Sequence, residues 1–352
     1  MLEVLQVLEG THLEHLEHLE DLEHFEHPMV LHERWFVSRQ HPVDFSQLLT
    51  PQTAVPVAIA LAVTGLAVFA WRLRGRREIV PGPLQLGMDW ANYQRLLSWM
   101  PLIIGVHTAV PLLVAGVQLQ LFVPNLALPY NFFGGLVALL EIVVALSFLY
   151  GAATRIGAAL LALVWLVGAI WFGPLLLLEH ALFLGVAFFM FVMGRGPGAL
   201  DMTLQRFHRP LERLVPRAVP VLRVLTGIGI ITLAFTEKLW NVPMGVDFLE
   251  HYPLNFFPAI GFEGISNANF IIIAGTVELT FGMLLISGAF VRLMTLILWV
   301  PFNLTLPFLG WRELVGHLPI YGIMALLVIW GEERKQTQDA FVSGVKKRER
   351  EV

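Results

Sequence analysis

The sequence predicts an all-α integral membrane protein with nine transmembrane helices, arranged as two parallel four-helix repeats behind one N-terminal span. Three observations predict it. The chain of 352 residues is 56% hydrophobic and only 14% charged, where a soluble domain carries about 25% charged residues. Nine apolar runs divide it, each near the length that crosses a hydrocarbon core of about 30 Å as a helix. One constellation also occurs twice: Glu141, Arg155 and His180 recur as Glu278, Arg292 and His317, every member displaced by 137. Gly151 and Gly194 recur as Gly288 and Gly331 in the same register. Five matches in one register mark an internal duplication.

Composition removes several chemistries. The net charge of −4 offers no basic surface for nucleic acid. Without a single cysteine there are no disulfides, thiolate metal sites, covalent haem links or cysteine nucleophile. Any metal would rest on histidine and carboxylates. No cleavable signal peptide is expected, because the first apolar run begins only near Ala54 and is followed by arginines.

Residues 1–50 are rich in histidine and glutamate, with leucines at 13, 16, 19 and 22. A three-residue step on a helix of 3.6 residues per turn leaves the leucines without a common face. His12, His15, His18, His24 and His27 could gather zinc, copper or nickel. A solvated tail is the reading preferred for this composition.

The nine runs cover Ala54–Trp71, Leu97–Val123, Phe132–Tyr150, Ile156–Phe172, Leu175–Met193, Val219–Trp240, Phe270–Ser287, Leu293–Leu309 and Leu314–Trp330. Helices are required because each backbone polar group must find its partner within the segment. Cations collect in alternate connections: Arg72 to Arg77 and Arg95, then Arg155, then Arg195 to Arg217, then Arg292, and finally Lys346 to Arg350. By the positive-inside rule the C-terminus is cytoplasmic and the histidine-rich N-terminus lies outside, which an odd number of spans requires. The expected place is a prokaryotic plasma membrane. Each duplicated unit has four helices, so both enter from one side, related by a pseudo-twofold axis along the membrane normal.

The expected order is a tail (1–50), a span with a basic loop (51–94), one unit (95–201), a linker (202–217), a second unit (218–331) and a basic tail (332–352). Outer connections 124–131 and 241–268 carry no cation, and the second is the longest between spans. Its length favours a structured cap, over a site or as a surface for a redox partner.

Glu141 and Glu278 fall near the middle of their helices. A carboxylate at that depth costs several kcal/mol and must face the bundle, paired or protonated. Arg155 and Arg292 stand in the first turn of the next helix, about 15 Å below the glutamates, where an arginine also snorkels to headgroups. His180 and His317 are placed near the outer helix ends, Glu179 beside one and Glu313 near the other. A histidine can donate, accept or ligate metal. Across a pseudo-twofold axis the pair would hold a quinone headgroup or a bis-His haem; nothing else in the sequence requires haem. A packed, hydrogen-bonded histidine is the simpler reading of either one alone. Pro301 and Pro307, with Asn303 between them, are expected to kink the eighth run.

The stretches RVLTGIGIITLAFTEKLW (223–240) and VELTFGMLLISGAFVRLMTL (277–296) resemble the DoxX family of four-helix membrane proteins. The resemblance rests on Arg223, Lys238 and Leu239 in the first helix, then Glu278, Gly282, Gly288 and Arg292. The first unit keeps Glu141, Gly151 and Arg155 but has Val110 and Pro111 where an alignment on Arg95 places the Lys–Leu pair. Over residues 95–331 the resemblance implies two tandem copies and a membrane subunit associated with redox work, linked to quinone or anchoring an oxidative-stress enzyme. On that reading Glu141, Glu278, His180 and His317 handle protons and the headgroup, and Arg155, Arg292 and Lys238 bind the cofactor, the two arginines setting the local potential. A scaffold without catalysis and a small-solute transporter are the rival readings.

Overall fold

Residues 41–203, 209–331 and 335–349 are described in the computed structural model. The histidines of the proposed metal tail, His12 to His27, lie outside the described residues. The chain enters through a 3₁₀ turn, Phe45–Leu49, whose start is held by the Asp44 carboxylate accepting from Ser46 N. Helix α1 (Pro51–Leu73) follows, with proline at its first position, where no backbone donor is lost. Helix α2 (Trp90–Val117) is opened by Asp89, whose side chain accepts from Asn92 N. That bond, beside the helix N-terminus, lowers the Asp89 pKa below the ordinary aspartate value.

The second apolar run departs from expectation. It was expected to stay helical to Val123, but α2 ends at Val117 and the chain forms an antiparallel ribbon, β1 (Gln120–Leu121) and β2 (Val123–Ala127). Leu119 and Phe122 take left-handed conformations at φ 53° and 62°, which turn the chain back on itself.

The rest of the first unit is α3 (Phe132–Tyr150), α4 (Thr154–Phe172), α5 (Pro174–Leu178) and α6 (Ala181–Met193). The second unit is α7 (Val215–Leu233), continued by a π-helical turn (Ala234–Leu239), then α8 (Val242–His251), α9 (Asn267–Ser287), α10 (Val291–Leu304) and α11 (Leu306–Trp330). Helix α12 (Lys335–Glu349) closes the described chain and packs on α2. Apart from the ribbon, the described residues are all-α.

Seven helical stretches among the described residues are long and apolar enough to cross a membrane. Two of the nine runs form shorter helices. Run five is divided at Glu179–His180, where His180 N reaches only to Leu177 O and Phe183 N bonds His180 O, a tighter winding than the α-helix. Run eight stops at Leu304 because Pro301 and Pro307 each remove a donor, and the residue before a proline resists the α conformation.

The duplicated register survives in the backbone. Gly151 and Gly288 both cap their helices in the left-handed region, and Ala153 and Phe290 both follow at φ 51°. Gly173 and Gly310, a further pair displaced by 137, both have positive φ, one just before α5 and the other at a kink within α11. Packing between units is crosswise: α6 lies on α7, and α11 lies on α2. The fourth helix of each copy thus meets the first helix of the other.

Candidate functional site

The π-helical turn at the end of α7 carries Thr236, Glu237 and Lys238, all buried. Widening the helix by one residue re-aims side chains, and such turns gather at functional sites. Here it directs Lys238 to α9, where Nζ lies 3.1 Å from Glu278 Oε1. Gly275, one turn before Glu278, makes the approach possible: a Cβ there would come within 2.9 Å of Lys238 Cβ. Glu278 Oε2 is buried with no hydrogen-bond partner among the described residues. The Glu278 side chain as a whole keeps 33% of its surface exposed, beside a strip of α9 marked by Ile273 and Val277.

Two elements cover this pair. Helix α8 returns into the bundle, with Gly245 seated on Ile271 of α9. Helix α1 lies against α9, its Ala60 buried among Ala234, Leu239 and Leu279. Because α9 begins 11 residues before Glu278, its start stands about 16 Å beyond the pair. The 241–268 connection is structured, carrying α8 and a 3₁₀ turn at Pro258–Ile260. Phe248, Leu249 and Ile271 form its core. His41 Nε2 meets Asp247 Oδ2 at 3.0 Å, tying the approach to α1 onto it.

Glu141 has a different setting. It is fully buried, and Oε1 accepts from Phe122 N at 2.9 Å. Oε2 has no partner among the described residues. Phe122 in turn stacks on Phe183 with ring centroids 4.5 Å apart, so the ribbon plugs the first unit. Gly116 of α2 packs closely on α3, where an added Cβ would lie 2.8 Å from Ile142 Cγ1 and 3.0 Å from Ala138 O.

His180 occupies the break between α5 and α6, buried beside Glu179. It stands at the start of α6, 13 residues from Met193 and about 20 Å from the far end of that helix. Its carbonyl accepts from Trp165 Nε1 at 3.2 Å. His317 turns to its own unit: Nδ1 lies 3.3 Å from Glu313 Oε1, and its ring packs edge-on to Phe302 of α10 at 4.4 Å. Thr305, freed by the break after α10, reaches Glu313 Oε1 at 3.4 Å.

The duplicated arginines bind backbone. Arg155 Nε donates to Phe191 O at 3.1 Å, and Arg292 Nε donates to Val328 O at 2.9 Å. These are the same bond, 36 residues on in each copy. Arg155 also bonds Arg209 O. Two further arginines do the same, Arg195, read from the sequence as a loop cation, and Arg223, read as a marker of the first helix. Arg195 donates to Phe148 O (3.3 Å) and Leu149 O (2.6 Å) at the end of α3. Arg223 donates to Leu285 O and Ile286 O at the end of α9, the carbonyls displaced by 137. Burial lowers the Arg195 pKa from its ordinary value. Asp201, unforeseen in the sequence, takes Ala153 N and Thr154 N at 2.6 and 2.8 Å and starts α4.

Among the described residues no group of three histidines and carboxylates is placed to hold a metal. The sequence-predicted residues fall into separate places: Lys238 with Glu278, Glu141 under the ribbon, His180 at a helix break, and His317 with Glu313. No family model, curated protein or solved structure matches the chain.

Proposed function

We propose that this chain is the membrane subunit of a quinone-associated redox system, built as nine spans in two parallel DoxX-like units, with the N-terminus outside. The observation that carries the reading is the Lys238–Glu278 pair, set at bilayer depth and partly open on a lipid-facing helix. Ionisable groups there are costly and mark sites of function. A lipid-soluble quinone has two carbonyl acceptors and reaches such a pair from the bilayer itself. When bound it would supply two-electron redox chemistry. Lys238 Nζ would donate to a ring carbonyl, and the Glu278 carboxyl would hold or release the accompanying proton. The resemblance of 223–240 and 277–296 to the DoxX family supports the same reading.

A scaffold or anchor for a redox or stress-defence partner is favoured by a separate observation. Arg155, Arg195, Arg223, Arg292 and Asp201 all serve helix ends. Solvent extraction and mass spectrometry of the detergent-purified protein, with a visible spectrum of the same sample, decide between the two. Near-stoichiometric quinone is expected. Lipid alone, with no Soret band, would sink the quinone reading and put the anchor first.

A further inference from the structure

We infer that the duplication has left one working site: the Lys238–Glu278 locus takes a single quinone-class ligand per chain, and Glu141 is a packing residue. The inference rests on the quinone reading above and deepens it.

Three differences between equivalent positions carry it. The first is access. Glu278 keeps a third of its side-chain surface open, whereas Glu141 is 0% exposed beneath Leu121, Phe122 and Val123. The second is the partner. Glu278 faces an ammonium that could also donate to a ligand carbonyl, while Glu141 faces a backbone N–H, that of Phe122.

The third is the demand that Glu141 meets. Phe122 sits in the left-handed turn of the ribbon, next to the register shift between Gln120 and Leu121. Its N–H points into the bundle, where a buried donor must be satisfied. Glu141 Oε1 is the acceptor that satisfies it. Glutamate is therefore retained at 141 for a backbone bond that an amide oxygen would serve equally. No such demand acts on Glu278, whose recorded partner is a charge.

The test is equilibrium binding of a short-chain ubiquinone analogue to the full-length protein in detergent, comparing wild type, Glu141→Gln, Glu278→Gln and Lys238→Met. One equivalent per chain is expected for wild type and for Glu141→Gln, with unchanged unfolding midpoints. Affinity should fall by about tenfold or more in Glu278→Gln and Lys238→Met, as loss of a charge-assisted contact implies. Two equivalents, or equal loss in a folded Glu141→Gln, would overturn the inference.

A wild type that binds no analogue would remove the quinone reading, and a lipid-soluble carbodiimide then tests the asymmetry alone. Glu278 should be activated and captured by Lys238 Nζ as an amide, with net loss of one water, while Glu141 stays unmodified. Equal modification of both glutamates would end the proposal.

Discussion

The two ends of the bundle have treated the duplication differently. At the end that carries Arg155 and Arg292 the copies agree in detail: the same arginine-to-carbonyl bond, the same left-handed glycine cap and the same left-handed residue two positions later. At the opposite end they share little. One copy is covered by a β-ribbon and the other by a returning helix; one fourth helix is broken at His180, and the other is kinked at Gly310. Helix ends placed where water is scarce leave carbonyls that must be bonded, and few solutions exist. The demand outlasts the donor: the last carbonyls of α3 are taken by Arg195, and those of α9 by Arg223. The cap end meets its backbone demands by a different device in each copy, Glu141 on Phe122 N in the first, so it has diverged.

If that contrast is right, the largest losses of stability come from the arginine end, and in both copies. Arg292 is 8% exposed and wedged where a Cβ on Gly331 or Gly82 would collide with it. Arg292→Ala should cost about 2–3 kcal/mol in a denaturant titration of the purified protein, as for a buried charge-assisted bond. Arg155 makes the same bond from a more exposed position, so Arg155→Ala should cost only about 1 kcal/mol. A loss confined to one copy would break the claim that the end is shared.

A smaller effect separates the copies at that same end. Asp201 caps α4 through two backbone donors, and the position displaced by 137 is Gln338, within α12. Asp201→Ala should cost about 1–2 kcal/mol, the usual value for losing a helix cap. Gln338→Ala should change stability by less than about 0.5 kcal/mol. Comparable losses at both positions would mean that α12 has taken over the cap by another route.

The arginine end was the legible one. The spacing of Glu, Arg, His and Gly already marked the duplication, because backbone geometry there depends on residue type: glycine for positive φ, arginine for reach. The helices themselves followed from apolar length. The ribbon did not, since LFVPNLAL reads as the continuation of an apolar run, and only two non-glycine residues at positive φ bend it. The bonding role of Arg195 was hidden because charge placement alone explains it, and Arg223 stood out only as a marker of the resemblance, with nothing in the sequence to show the carbonyls it holds. Asp201 looked like a linker residue. The Lys238–Glu278 pair was visible as two separate residues, but its closeness depends on the π-helical turn, for which the sequence carries no local signal.

The cap end gives the smallest and most local prediction. Asn255 knits the long connection together: Nδ2 donates to Ile265 O and Asn267 Oδ1, both at 3.1 Å, and Oδ1 accepts from Phe257 N at 3.3 Å. Asn255→Ala should leave the global midpoint nearly unchanged and weaken the loop by about 1 kcal/mol. Chymotrypsin should then cut after Phe256 and Phe262, which are already half exposed, about five times faster. Cleavage after Tyr130, fully open at the tip of the first unit, is the internal control and should not change. An unchanged rate at Phe256 would shift the credit to the rings, since Phe256 and Phe257 stack at 4.9 Å and both meet Phe270 edge-on. The cap would then be held by aromatic packing, and polar substitutions at Phe257 would loosen it where Asn255 did not.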